Sequence, residues 1–95
     1  MKSILQNEKK CYITGRTSGL HVHHIFEGKN RNLSEKYGLK VYLIPELHNA
    51  SGEGVHGKNG HILNMELKKE AQRTAMKYYG WSKEDFIRIF GRNYL

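Results

Sequence analysis

The chain has 95 residues, 38% of them hydrophobic and 11% aromatic, which suits one domain with a modest core and excludes a large multidomain enzyme. Sixteen Lys and Arg against nine Asp and Glu give a formal charge of +7, favouring a polyanionic partner, nucleic acid before an acidic membrane surface. Cys11 is the single cysteine, so no intramolecular disulfide can form. With no apolar run of spanning length and a Met1–Asn7 segment too short and polar for a signal peptide, the expectation is a soluble cytoplasmic protein.

Residues 1–10 carry Lys2, Lys9 and Lys10 without a period and read as a loose basic arm. Cys11-Tyr12-Ile13 reads as a short strand, turned by the segment from Gly15 to Gly19. Leu20 to Phe26 alternates as a strand, with Leu20, Val22, His24 and Phe26 on one side and His21, His23 and Ile25 on the other. That alternation sends His23 and His24 to opposite faces, so both reach one site only where the strand ends or bends, as Gly28 nearby permits.

Glu27 to Gly38 is polar and basic; Ser34 is placed to cap one helical turn and Gly38 to close it. Leu39 to Ile44 alternates as a second strand, which Pro45 stops. The two strands thus predict a hairpin around a long basic loop. Asn49 to Gly60 is a glycine-rich connection. Asn64 reads as the N-cap of a helix from Met65 to about Tyr79, with Leu67, Ala71, Ala75 and Tyr79 on one face, and Gly80 suits its end. Ser82 with Asp85 opens a last helix whose apolar face is Phe86, Ile87, Ile89 and Phe90, closed by Gly91. Residues 1–95 therefore predict a single α+β domain, a hairpin and helices braced by a C-terminal helical pair.

The histidines carry the chemistry. His23-His24 ends an apolar run, His48 follows a second one, and His56 lies beyond it. A buried imidazole needs partners for both ring nitrogens, and several together, with coordination positions left open, suit a catalytic metal site. His21 and His61 read as exposed polar residues. In the basic loop, Lys29, Arg31 and Lys36 are candidates for contacts to phosphate. Lys68, Lys69 and Arg73 read as the wet face of an amphipathic helix. Tyr79 and Trp81 read as packing for the C-terminal helices.

The order His23-His24-Ile25-Phe26, Gly28, Asn30-Arg31, Ser34 to Leu39, Pro45-Glu46, His48-Asn49 and Gly54-Val55-His56 resembles the HNH endonucleases, the ββα-metal class. More closely, it resembles small phage and prophage proteins of that type, and Ile89 to Leu95 resembles their ending, so the likeness runs from about Cys11 to the C-terminus.

The resemblance implies a metal-dependent endonuclease that hydrolyses DNA, most readily double-stranded. It puts His24 at the general base and His23, His48 and His56 at the ligands of one divalent ion (Mg, Mn, Zn or Ni), His61 being the alternative last ligand. Many relatives carry an orienting Asn about nine residues before the middle ligand. Here that position is Leu39, which leaves Asn30 or Asn49 for the role. The Cys pairs of a structural zinc are also missing: Thr14, Ile44 and Leu47 stand at the positions that accompany Cys11, so no structural zinc is expected. A domain this small implies that specificity comes from a phage or host partner protein. The alternatives are an RNase of the same chemistry and a nucleic-acid-binding module that keeps the metal for stability.

Overall fold

A computed structural model describes residues 1–48 and 60–95. It is an α+β arrangement of one two-stranded antiparallel sheet and four helices. β1 (His21–His24) pairs with β2 (Lys40–Leu43) in the register His21↔Leu43, Val22↔Tyr42, His23↔Val41 and His24↔Lys40. The connection between them holds a 3-10 turn at Gly28–Asn30 and the helix α1 (Arg31–Tyr37). One turn of helix, α2 (Pro45–His48), follows β2, and α3 (His61–Tyr79) and α4 (Lys83–Phe90) form the C-terminal part. Among the described residues no helix is long and apolar enough to cross a membrane.

The alternation read from the sequence survives in the burial of β2 but not of β1, where Val22 is exposed and His23 is buried. Val41 and Leu43 of β2 are buried, as are Ile25 and Phe26 where the chain leaves β1. Against them α3 lays Leu67, Ala71 and Ala75, spaced four apart on one helical face, and the small alanines allow close approach. Phe86 and Phe90, one turn apart on α4, stack on each other with centroids 4.6 Å apart, and Phe26 packs on Phe90 at 4.8 Å. Gln72 is fully buried on α3; its amide donates to Asn93 Oδ1 and its carbonyl accepts from Tyr94 N–H, so the chain end is tied to the same core. A second aromatic group joins α1 to the C-terminal part: Trp81 packs on Tyr37 and Tyr79, and the Tyr79 hydroxyl donates to the Tyr37 carbonyl.

Four expectations need correcting. Cys11 to Ile13 forms a turn, not a strand, because the Cys11 carbonyl accepts from Gly15 N–H and its Sγ accepts from Thr14 N–H, closing the chain locally. Residues 1–10 are not loose. Ile4 N–H donates to the Gly38 carbonyl and Gln6 Oε1 accepts from Tyr42 N–H, so this segment covers the outer edge of β2.

Helix α1 begins before Ser34, which is no cap: its buried hydroxyl accepts from Phe26 N–H and donates to the Phe26 carbonyl. Asn64 likewise lies inside the first turn of α3, its N–H donating to the Gly60 carbonyl. The helix ends agree better. Gly38, Gly80 and Gly91 close α1, α3 and α4 in the left-handed conformation. Ser82 and Asp85 make the reciprocal cap of α4. Gly38 is doubly required, since a Cβ there would also meet the Lys2 carbonyl at 2.5 Å.

Candidate functional site

Four of the six histidines belong to β1 or to the helical turn beside it. Strand alternation directs His21 and His23 to one face of β1 and His24 to the other. Pro45 ends β2 and starts α2, whose single turn returns His48 toward β1; the His48 N–H donates to the Ile44 carbonyl. The His48 ring lies 5.3 Å, centroid to centroid, from both His21 and His23. Its Nδ1 stands 3.1 Å from Nδ1 of His21. His23 is buried, and its Nε2 lies 4.0 Å from Glu27 Oε1, an ion-pair distance rather than a hydrogen bond.

A separation of 3.1 Å between two ring nitrogens serves either of two ends. With one nitrogen protonated it is a hydrogen bond. With both deprotonated it is close to the separation of two ligands on one tetrahedral ion, roughly 3.3 Å when each bond is about 2.0–2.1 Å. The donor chemistry of His21 and His48 therefore fits a divalent ion, with His23 adjacent. Among the described residues no group of three His, Cys, Asp or Glu donors is arranged to hold a metal as it stands.

On the opposite face His24 is committed to an acid. Its Nε2 lies 2.9 Å from Glu35 Oε1 on α1. The other carboxylate oxygen accepts from Lys40 Nζ at 2.7 Å and from the Met1 amino group at 3.0 Å. Lys40 first, then His24 and the Met1 amine, hold the Glu35 carboxyl well below its ordinary range.

The expected site residues thus divide. His23 and His48 come together. His24 sits on the far face of the same strand, its Nε2 on Glu35. His56 and Asn49 lie outside the described residues. His61 opens α3 and is exposed, as expected. Asn30 donates its amide to the Phe90 carbonyl, which ties the start of α1 to the end of α4. Lys29, Arg31 and Lys36 are all exposed along the connection between the strands. Two residues were missed. His21 is half-buried against His48 rather than exposed, and its spacing of two from His23 on a strand was the available signal. Glu35 had none, because its contact joins separate elements. Leu39, at the position of the absent strand Asn, is a fully buried core residue.

No family model matches the chain, and neither a curated protein nor a solved structure matches it.

Proposed function

We propose that the chain is a metal-dependent endonuclease of the HNH type, hydrolysing phosphodiester bonds in DNA. The observation that carries this reading is the convergence of His21 and His23 on His48, across a two-stranded hairpin whose adjacent strand residue, His24, is paired with a carboxylate. In this reading the α+β hairpin is the ββα-metal type. His48 with His21 or His23 holds the ion, joined by His56 as the sequence resemblance implies. A divalent ion bound there supplies charge stabilisation for the phosphate and for the departing oxygen.

The chain's own residues do the rest. His24 lies on the face opposite the ion but is the last residue of β1. In this reading it accepts a proton from the attacking water where the strand ends and the two faces meet. Such general base catalysis contributes typically ~10²–10⁴-fold. Lys29, Arg31 and Lys36 neutralise phosphates along the exposed connection, so binding weakens steeply with salt and shows little base preference. A net charge of +7 agrees with that mode.

A second reading, a nucleic-acid-binding module without cleavage, is favoured by one contact: a hydrogen bond between His21 and His48 satisfies those two nitrogens without an ion. The deciding experiment is nicking of supercoiled plasmid by the purified chain with Mg²⁺, Mn²⁺, Ni²⁺ or Zn²⁺ in turn. Nicking that a chelator abolishes, and that His24→Ala reduces about a hundredfold or more with the fold intact, supports the enzyme. Salt-sensitive DNA binding with no nicking under any metal supports the module and sinks the nuclease. The same assay on RNA separates the RNase.

A further inference from the structure

Glu35 divides its carboxylate between two tasks. Oε2 takes the two ammonium groups, Lys40 Nζ and the Met1 amine, and Oε1 is left to the His24 ring. Lys40 is the register partner of His24 across the hairpin, so one strand pairing places both the lysine that anchors the acid and the ring the acid meets. The backbone of Glu35 is held as firmly. Its neighbour Ser34 is fully buried and bonds both the N–H and the carbonyl of Phe26, pinning α1 to the chain just past β1. Of the two asparagines left for orienting His24, Asn30 has its amide held by the Phe90 carbonyl and Asn49 lies outside the described residues. Leu39, at the position of the strand Asn, is a core residue with no polar side-chain atom.

We propose that Glu35 is the positioning residue for His24, fixing its imidazole as the Nε2–H tautomer so that Nδ1 is the nitrogen that takes the proton. The inference rests on the reading of His24 as general base. An ionised carboxylate only accepts hydrogen bonds, so the proton between Glu35 and His24 belongs to Nε2. A neutral imidazole has one N–H, which leaves its lone pair on Nδ1. Glu35 also resists rotation of the ring, because a flip would exchange a charge-assisted bond for none. Proton transfer from water to Nδ1 then gives an imidazolium whose Nε2–H still faces the carboxylate. The water oxygen bonds to phosphorus, the P–O bond to the departing deoxyribose oxygen breaks, and that oxygen leaves with the bonding pair and is protonated by solvent.

The test pairs a spectroscopic with a kinetic readout on the full chain. Long-range ¹H–¹⁵N spectra of histidine-labelled protein at about pH 8, where an ordinary imidazole is neutral, report the His24 tautomer. Wild type is expected to show Nε2–H. Glu35→Ala is expected to lose that preference and at least about tenfold in kcat for plasmid nicking with little change in KM. Glu35→Gln, whose amide oxygen still accepts from Nε2–H, keeps the tautomer and restores most of the rate.

An Nδ1–H tautomer in wild type overturns the proposal without any variant, which covers the case of a Glu35→Ala chain that fails to fold. An unchanged tautomer or an unchanged kcat in a folded Glu35→Ala chain overturns it as well. Wild type that never nicks under any metal, yet shows the Glu35-dependent tautomer, removes the nuclease reading and with it the catalytic half of this one.

Discussion

The two faces of β1 handle their histidines in opposite ways. Toward α2, His21 and His23 meet another imidazole, His48, and His21 and His48 approach nitrogen to nitrogen. Toward α1, His24 meets a carboxylate that is itself held by two cations. An imidazole beside imidazoles offers lone pairs to an acceptor of electron pairs. An imidazole beside a fixed carboxylate has its tautomer chosen. One four-residue strand thus supplies two kinds of histidine, and the partner decides which is which.

The largest expected effect would break the comparison altogether. Phe26 lies two residues past the end of β1 and packs between Phe90, Phe86 and Tyr94. Phe26→Ala should cost about 3–5 kcal/mol of unfolding free energy, measured by urea denaturation, because a fully buried aromatic leaves a cavity. A loss below about 1 kcal/mol would mean that the hairpin does not depend on the C-terminal brace.

Separating the faces is the next test. His48→Ala and His24→Ala should both lower nicking by about a hundredfold or more. Only His48→Ala should weaken the binding of Ni²⁺ or Zn²⁺ followed by calorimetry. Equal loss of metal affinity in both variants would show that the two faces act as one site, as a bend at the end of β1 would allow.

Ser34 sharpens the contrast from the His24 side. Its hydroxyl makes two buried bonds to Phe26, at 2.9 and 2.8 Å, and alanine leaves both backbone groups without it. Ser34→Ala should cost about 1–3 kcal/mol, read from the urea midpoint. It should also disturb the nuclear resonances of His24 more than those of His48. The reverse order would show that α1 does not set the His24 face.

How much of this was legible in the sequence depends on the range of the forces involved. Local patterns sufficed for β1 and β2, where alternation and Pro45 mark the strands, and for α3 and α4, where periodicity, the Ser82–Asp85 cap and the closing glycines mark the helices. They failed for Ser34 and Asn64, whose residue type suits a cap but which the structure uses elsewhere: Ser34 has a backbone partner eight residues away, and the α3 helix starts three residues before Asn64. The pairing of His23 with His48 was legible as two histidines each ending an apolar run. The pairing of His24 with Glu35 was not, since nothing in a polar loop reveals which acid faces a strand. His21 lies between: its spacing was informative, and only the position of α2 showed what it meets.

The smallest expected effect concerns the charge of Glu35. Its carboxyl is held below its ordinary value of 4.5, with Lys40 the leading cause and His24 and the Met1 amine behind it. A depressed carboxyl favours the folded state wherever the unfolded chain would bind the proton first. That stabilisation is therefore complete above the ordinary carboxyl range and is lost as pH falls through the folded value. Wild type should exceed Glu35→Gln in urea midpoint at pH 7, and the margin should shrink as the pH is lowered below 4.5. Because the Glu35 side chain is 45% exposed, water and salt screen the cluster, and the same margin should shrink in 1 M NaCl at pH 7. A margin that holds constant across both changes would assign the contribution of Glu35 to packing and neutral hydrogen bonds. The carboxylate would then hold His24 by shape alone, and the chemical contrast between the two faces of β1 would shrink to one of geometry.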